Sequence, residues 1–275
     1  MIKIAVTRPR ERRADIEKGV AALDIGNDAF LKSFQVEIEP RFSKTDGRVL
    51  QPPTLHFGQG KVEPGHTGRW DLRNRKFWKP NVAPLDSWAF VLVDDSVNLP
   101  ALSNFARTFT NIYRGHGGKV NQDPELLRRP GNIANNPAEI VRWAHEHMLA
   151  KRGYPQMMVY VVEIRGSPHY ERLKKSADCR FGVGSQVLNA NSVKQASPQY
   201  CSNVALKINA KLGGITSRTM PPWNSPGKTY FPSSRPTVIV GADVSHPSPG
   251  SPFASMAAMT MYVFHCLHSG TYADK

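Results

Sequence analysis

Cysteine is scarce. There are three in 275 residues, Cys179, Cys201 and Cys266, odd in number and far apart. That spacing supports neither a disulfide framework nor a zinc site, and the three read as structural thiols. Long apolar runs are missing as well. No stretch is long enough to span a bilayer as a helix, and the opening Met1-Ile2-Lys3-Ile4-Ala5 has no signal-peptide hydrophobic region; a cytoplasmic setting, or a nuclear one, is the expectation. There is no phosphate loop ending in Gly-Lys-Ser/Thr, no Gly-x-Gly-x-x-Gly loop and no Gly-x-Ser-x-Gly elbow, so nucleotide-dependent and serine-nucleophile chemistry is unsupported. His145-Glu146-His147 offers no metal site in their place, because residues two apart point to different sides of a helix.

Acidic residues are the most unevenly missing. The formal net charge is +14, yet residues 81 to 164 carry 8 Lys and Arg against 8 Asp and Glu, whereas residues 165 to 235 carry 11 against 2. Residues 1 to 80 carry 16 against 10 and the tail from 236 carries 1 against 2. A positive field concentrated in one segment favours a polyanionic partner such as nucleic acid.

Within that segment, Ser197 to Gly214 reads as one helix. Ser197 is a suitable N-cap, Pro198 fits the first helical position, and Gly213-Gly214 supplies a left-handed stop. Gln199, Asn203, Lys207 and Lys211 recur every fourth residue and fall along one narrow stripe, while Val204, Ala205, Leu206, Ile208 and Leu212 cover much of the rest. Two ammonium groups one turn apart, on a stripe without an acid, suggest an external anion such as phosphate. The alternative is that both lysines snorkel to solvent.

From residue 87 onward strands alternate with helices, the pattern of an α/β fold with a parallel sheet. Strands are expected at Trp88–Val93, Met157–Ile164 and Ser185–Leu188, and helices at Leu99–Tyr113, Pro137–Lys151 and Tyr170–Ala177. Before them, Arg8–Ala22 reads as a solvated helix, Phe34–Pro40 as a strand, Gly47–Pro53 as an extended segment and Gly68–Phe77 as a small hairpin, though its aromatic and basic residues could also stack on bases. Ligands of open α/β sheets bind beyond the carboxyl ends of the strands, which directs attention to the turn Arg165–His169. Tyr170 and Lys174 share one face of the next helix, and with Lys207 and Lys211 they could line one pocket.

After a Pro- and Ser-rich connector, Pro221 to Pro236, the run Thr237-Val238-Ile239-Val240-Gly241-Ala242-Asp243-Val244-Ser245-His246-Pro247 is an apolar strand ending in an aspartate. Together with Tyr200–Asn203 through Lys211–Gly214, Gly47–Pro53 and Gly68–Asn74, it closely resembles eukaryotic Argonaute proteins, with some details similar to filamentous-fungal members. The resemblance runs in order from about residue 2 to residue 260. It implies a linker 2 region at 1–85, a Rossmann-like MID domain with a parallel sheet and flanking helices at 86–225, and at 226–275 the first strand of a ribonuclease H-like PIWI domain, or a broader Piwi region from about 157.

The resemblance further implies that the chain anchors the 5′-phosphate and first base of a small guide RNA in RNA silencing. Tyr170 would stack on the base, Lys174, Gln186, Lys207 and Lys211 would hold the phosphate, and Gly166, Ser167, Pro168 and His169 would form the loop that senses the base. Target RNA and silencing-complex proteins would be partners of a full-length protein. Asp243 matches the first metal-binding carboxylate of the PIWI domain; the only acidic residue after it is Asp274, so the chain is expected to be a fragment that needs no cofactor and cannot cleave RNA alone, whereas a complete PIWI domain would use Mg2+. The alternatives are a part of a full-length RNA-guided endoribonuclease and a non-catalytic scaffold or decoy. The tail from Met261 departs from the family pattern.

Overall fold

A computed structural model describes residues 7–163, 168–220, 237–246 and 254–264. The chain divides into two units, Met1–Leu50 and Gln51–Lys275. In the first, helix α1 (Pro9–Ala22) has Pro9 at its first position and buries no residue, and Arg13 pairs with Glu17 one turn on at 2.8 Å. This is the solvated helix expected from its alternating charges. Helix α2 (Ala29–Ser33) follows, its first turn capped by Asp28, whose carboxylate accepts the Leu31 N–H at 2.9 Å. The strand expected at Phe34–Pro40 does not form. Its apolar positions Val36 and Ile38 are exposed, and alternation without a partner strand or a surface to cover does not hold β structure.

The second unit begins with short strands β1 (Thr54–His56) and β2 (Lys61–Val62). Leu55 and Phe57 pack with Leu72 in a small apolar cluster. The hairpin expected at Gly68–Phe77 is instead an irregular loop: Leu72 plugs into that cluster, and Gly68, at φ +64°, turns the chain before it.

The main sheet is built from β3 (Trp88–Leu92), β4 (Glu125–Arg128), β5 (Met157–Val162) and β6 (Ser185–Asn189), all parallel, in the order β4-β3-β5-β6. Every residue of β3 and β5 is buried, as continuous apolar runs require when both sheet faces are covered. Strand β4 escapes the sequence pattern because it is an edge strand of four residues with charged ends.

Helix α3 (Leu99–Gly115) starts at Asn98, whose side chain accepts the Ala101 N–H at 2.9 Å. Its Phe105, Phe109 and Tyr113 lie on the sheet face that carries Trp88, Phe90 and Leu92. Helix α4 (Pro137–Arg152) covers the opposite face, with Ile140, Val141, Ala144 and Met148 against Ala89, Val91 and Val93. The period-2 alternation of β3 thus divides its side chains between two cores.

Helix α5 (Pro168–Lys174) passes directly into a π-helical turn, Lys175–Arg180, where a single helix to Ala177 was expected. The segment after β6 forms helix α6 (Ala190–Gln195), initiated by the Asn189 side chain, which accepts the Asn191 N–H. Helix α7 (Pro198–Lys211) follows. Strand β7 (Arg218–Met220) returns to pair antiparallel with β1. Finally β8 (Thr237–Ser245) and β9 (Met256–Phe264) pair antiparallel over their whole length, so the lone strand expected in this region is a two-stranded ribbon.

Candidate functional site

Crossover helices of a parallel sheet run back from the carboxyl ends of the strands to their amino ends. The last residues of α5 and α7, Lys174 and Lys211, therefore arrive where β6 begins. Both ammonium groups bond to its first residue. Lys211 Nζ donates to the Ser185 carbonyl and, at 2.8 Å, to Gln186 Oε1. Lys174 Nζ donates to Ser185 Oγ at 2.7 Å and to the Ser185 carbonyl at 3.2 Å. The lysines meet at the amino-terminal edge of the sheet, not beyond the carboxyl ends as the sheet rule suggested. The direction of the helices decides this.

The geometry of α7 follows from its sequence. Ser197 Oγ accepts the Tyr200 N–H at 3.3 Å, Pro198 occupies the first turn, and Gly213 adopts φ +77° past the end. Cys201, Val204, Ala205, Ile208 and Asn209 are buried, leaving the stripe Gln199, Asn203, Lys207 and Lys211 outward. The two lysines of this stripe behave differently. Lys207 is exposed and, among the described residues, has no hydrogen-bond or ion-pair partner. Lys211 is exposed too, but its ammonium reaches back to β6.

Burial pushes the Lys211 ammonium down to about 8, the charges of Lys174 and Lys207 push the same way, and Asp178 opposes them. The three lysines therefore share one field. Gln186 Nε2 donates to the Val187 carbonyl at 3.0 Å while its oxygen holds Lys211.

Two residues of this cluster escaped the sequence pattern. Asp178, from the π turn, pairs with Lys174 at 2.6 Å and accepts the Ser185 hydroxyl at 2.7 Å. The stripe of α7 lacks an acid, but a neighbouring element supplies one; the i, i+4 spacing of Lys174 and Asp178 was the signal for it. Ser185 had no signal beyond its place before Gln186.

Tyr170 is 46% exposed and lies one helical turn before Lys174 on α5. Pro168 opens that helix, and His169 follows, partly exposed. Gly166 and Ser167 lie outside the described residues. The two candidate histidines of α4 face different rings: His145 packs on Phe181 at 4.8 Å and His147 on Trp143 at 6.0 Å.

Asp243 stands apart from the lysines in the β8–β9 ribbon. It pairs across the ribbon with Ala258, is exposed, and accepts the following N–H of Val244 at 3.0 Å. Among the described residues, no three His, Cys, Asp or Glu side chains come together to hold an ion. Among the described residues, the surroundings of Asp243 do not make a Mg2+ centre of several carboxylates.

Three family models match the chain in succession: the Argonaute linker 2 domain over residues 11–57, the Mid domain of argonaute over 65–145 and the Piwi domain over 157–274. Protein argonaute of Schizosaccharomyces pombe is 30% identical over 267 residues, covering 96% of this chain and 31% of that protein. The chain thus spans less than a third of the length of that relative. Among solved structures, Drosophila Piwi aligns with 94% of this chain and 36% of its own, with a TM-score of 0.66 at 15% identity. Kluyveromyces polysporus Argonaute with a guide RNA aligns with 78% of this chain and 26% of its own, with a TM-score of 0.57 at 21% identity. At such identities the structural likeness speaks for the α/β fold. With the three domain models in order along one sequence, the chain belongs to the Argonaute family.

Proposed function

We propose that this chain binds the 5′ end of a small guide RNA, with the terminal phosphate held by Lys174, Gln186, Lys207 and Lys211 and the first base stacked on Tyr170. The observation that carries the reading is the unbalanced charge at the start of β6. The charges of Lys174 and Lys207 both act on the Lys211 ammonium there, and among the described residues a single carboxylate, Asp178, opposes them. About two positive charges remain, and a phosphate monoester at neutral pH carries roughly −1.5 to −2. One such group neutralises the site and accepts from several donors at once. The basic excess of residues 165 to 235 draws the remaining backbone of the same strand.

Tyr170 supports the reading by position. It is exposed and sits four residues before Lys174, about 6 Å along the helix axis, and a ring there can stack on any base. The relative from Kluyveromyces polysporus was solved with a guide RNA, which fits this choice of polyanion.

The test is a titration of the 275-residue chain with matched 5′-phosphate and 5′-hydroxyl RNAs over a salt series. The phosphate should strengthen binding about tenfold, and Lys211→Ala and Lys207→Ala should each reduce that preference. Each lysine–phosphate pairing removed should flatten the slope of log affinity against log salt by about 0.7. Equal binding of the two RNAs, unchanged by either substitution, would reject the pocket.

A further inference from the structure

An ammonium group has three N–H donors, and Lys174 has a partner for each. Its Nζ lies 2.6 Å from Asp178 Oδ2, 2.7 Å from Ser185 Oγ and 3.2 Å from the Ser185 carbonyl. Asp178 also accepts the Ser185 hydroxyl at 2.7 Å through its other oxygen. Lysine, carboxylate and hydroxyl thus form a closed ring. The neighbouring lysines differ. Lys211 uses two donors, on Ser185 and Gln186, and Lys207 uses none among the described residues. Of the three cations proposed to hold a phosphate, only Lys174 has no donor to spare.

We infer that Asp178 is an internal latch on the anion pocket: a phosphate reaches Lys174 only by displacing the Asp178 carboxylate from it. The inference rests on the phosphate-anchoring reading above and specifies how that site is controlled. The carboxylate and the ligand compete for one ammonium, so the incoming anion must be the stronger acceptor. A terminal phosphate monoester, close to a dianion at neutral pH, meets that condition. A phosphodiester inside an RNA strand carries a single negative charge, the same as the carboxylate it would replace, and gains little by the exchange. On displacement the carboxylate, whose side chain is 41% exposed, turns to water.

The test uses the full chain and two RNAs of one sequence, with a 5′-phosphate or a 5′-hydroxyl, and reads the ratio of their affinities in the parent and in Asp178→Asn. Asparagine keeps the shape and can still accept from Ser185, but it no longer competes as an anion. The pair it removes is partly exposed, so the ratio should rise about three- to fivefold. A general gain in positive charge would strengthen both RNAs alike and leave the ratio where it was. If the parent prefers the phosphate and Asp178→Asn leaves the ratio unchanged or lowers it, the latch is overturned while phosphate anchoring stands. If the parent shows no preference and the variant acquires one, the latch is supported and anchoring by the parent chain fails. If neither discriminates, both ideas fall. Ser185→Ala, which frees one Lys174 donor without touching the carboxylate, should raise the ratio by a smaller factor. Should Asp178→Asn not fold, as its melting curve would show, Ser185→Ala decides the matter: a rise supports the latch and no rise overturns it.

Discussion

Burial lowers the Lys211 ammonium to about 8, and Lys174 and Lys207 add to the effect against Asp178. The sign of the consequence follows from comparing states. An unfolded lysine keeps its proton to about pH 10.4, so between about pH 8 and 10.4 the unfolded chain binds more protons and stability rises with pH. Below about pH 8 both states carry the charge and the folded chain bears the full penalty. Lys211→Met, which keeps an apolar stem and removes the charge, should raise the melting temperature at pH 7 by about 2 °C and flatten its rise between pH 8 and 10, as scanning calorimetry would show. Burial raises the Cys201 thiol to about 11 and opposes the rise from about pH 9, so the difference between the two chains isolates Lys211, and a difference that does not shrink from pH 8 to 10 would contradict the assignment. On the proposed reading the same proton governs phosphate binding. The preference for a 5′-phosphate should be greatest between about pH 6, where the phosphate loses its second proton, and about pH 8, where Lys211 begins to lose its own.

At the scale of elements, α7 connects the readable part of the sequence to the site. Ser197 caps it, and its loss to alanine should cost about 1 kcal/mol in urea unfolding, with the slope against denaturant unchanged. A cost below a few tenths would mean that the first turn is held by packing instead. The cap, Pro198, the glycine stop and the polar stripe were all legible because each is a local rule with a fixed spacing. The fate of the stripe was not, since it depends on what other elements present to it. Lys207 remains in solvent and Lys211 turns to β6, a choice made by the Ser185 carbonyl and Gln186. Asp178 was harder to place because the helix that carries it changes to π geometry at Lys175. Phe34–Pro40 shows the opposite failure: the alternation is present, but no strand lies opposite to complete it.

For the molecule as a whole, alternating strands and helices fixed the class and the buried strands β3 and β5, whose apolar runs leave few alternatives. The ribbon of β8 and β9 was legible only in its first strand, and it presents an open apolar face. Cross-strand register places Val240 opposite Met261 and Ala242 opposite Met259, so these four side chains share one face of the ribbon. That face is open: Val240 is 54%, Met261 66% and Met259 71% exposed. Among the described residues the two strands pair only with each other, which leaves two edges able to accept a further strand. A net charge of +14 keeps copies apart at low salt, but at about 0.15 M salt the screening length falls to about 8 Å and the repulsion weakens. The chain should therefore associate with itself increasingly as salt and concentration rise, as sedimentation velocity would detect. Replacing the facing pair with opposite charges, Val240→Lys with Met261→Glu, preserves cross-strand pairing while wetting the face, and should hold the chain monomeric at the salt where the parent associates. If the double variant associates as the parent does, the attraction lies elsewhere on the molecule and the ribbon is inert.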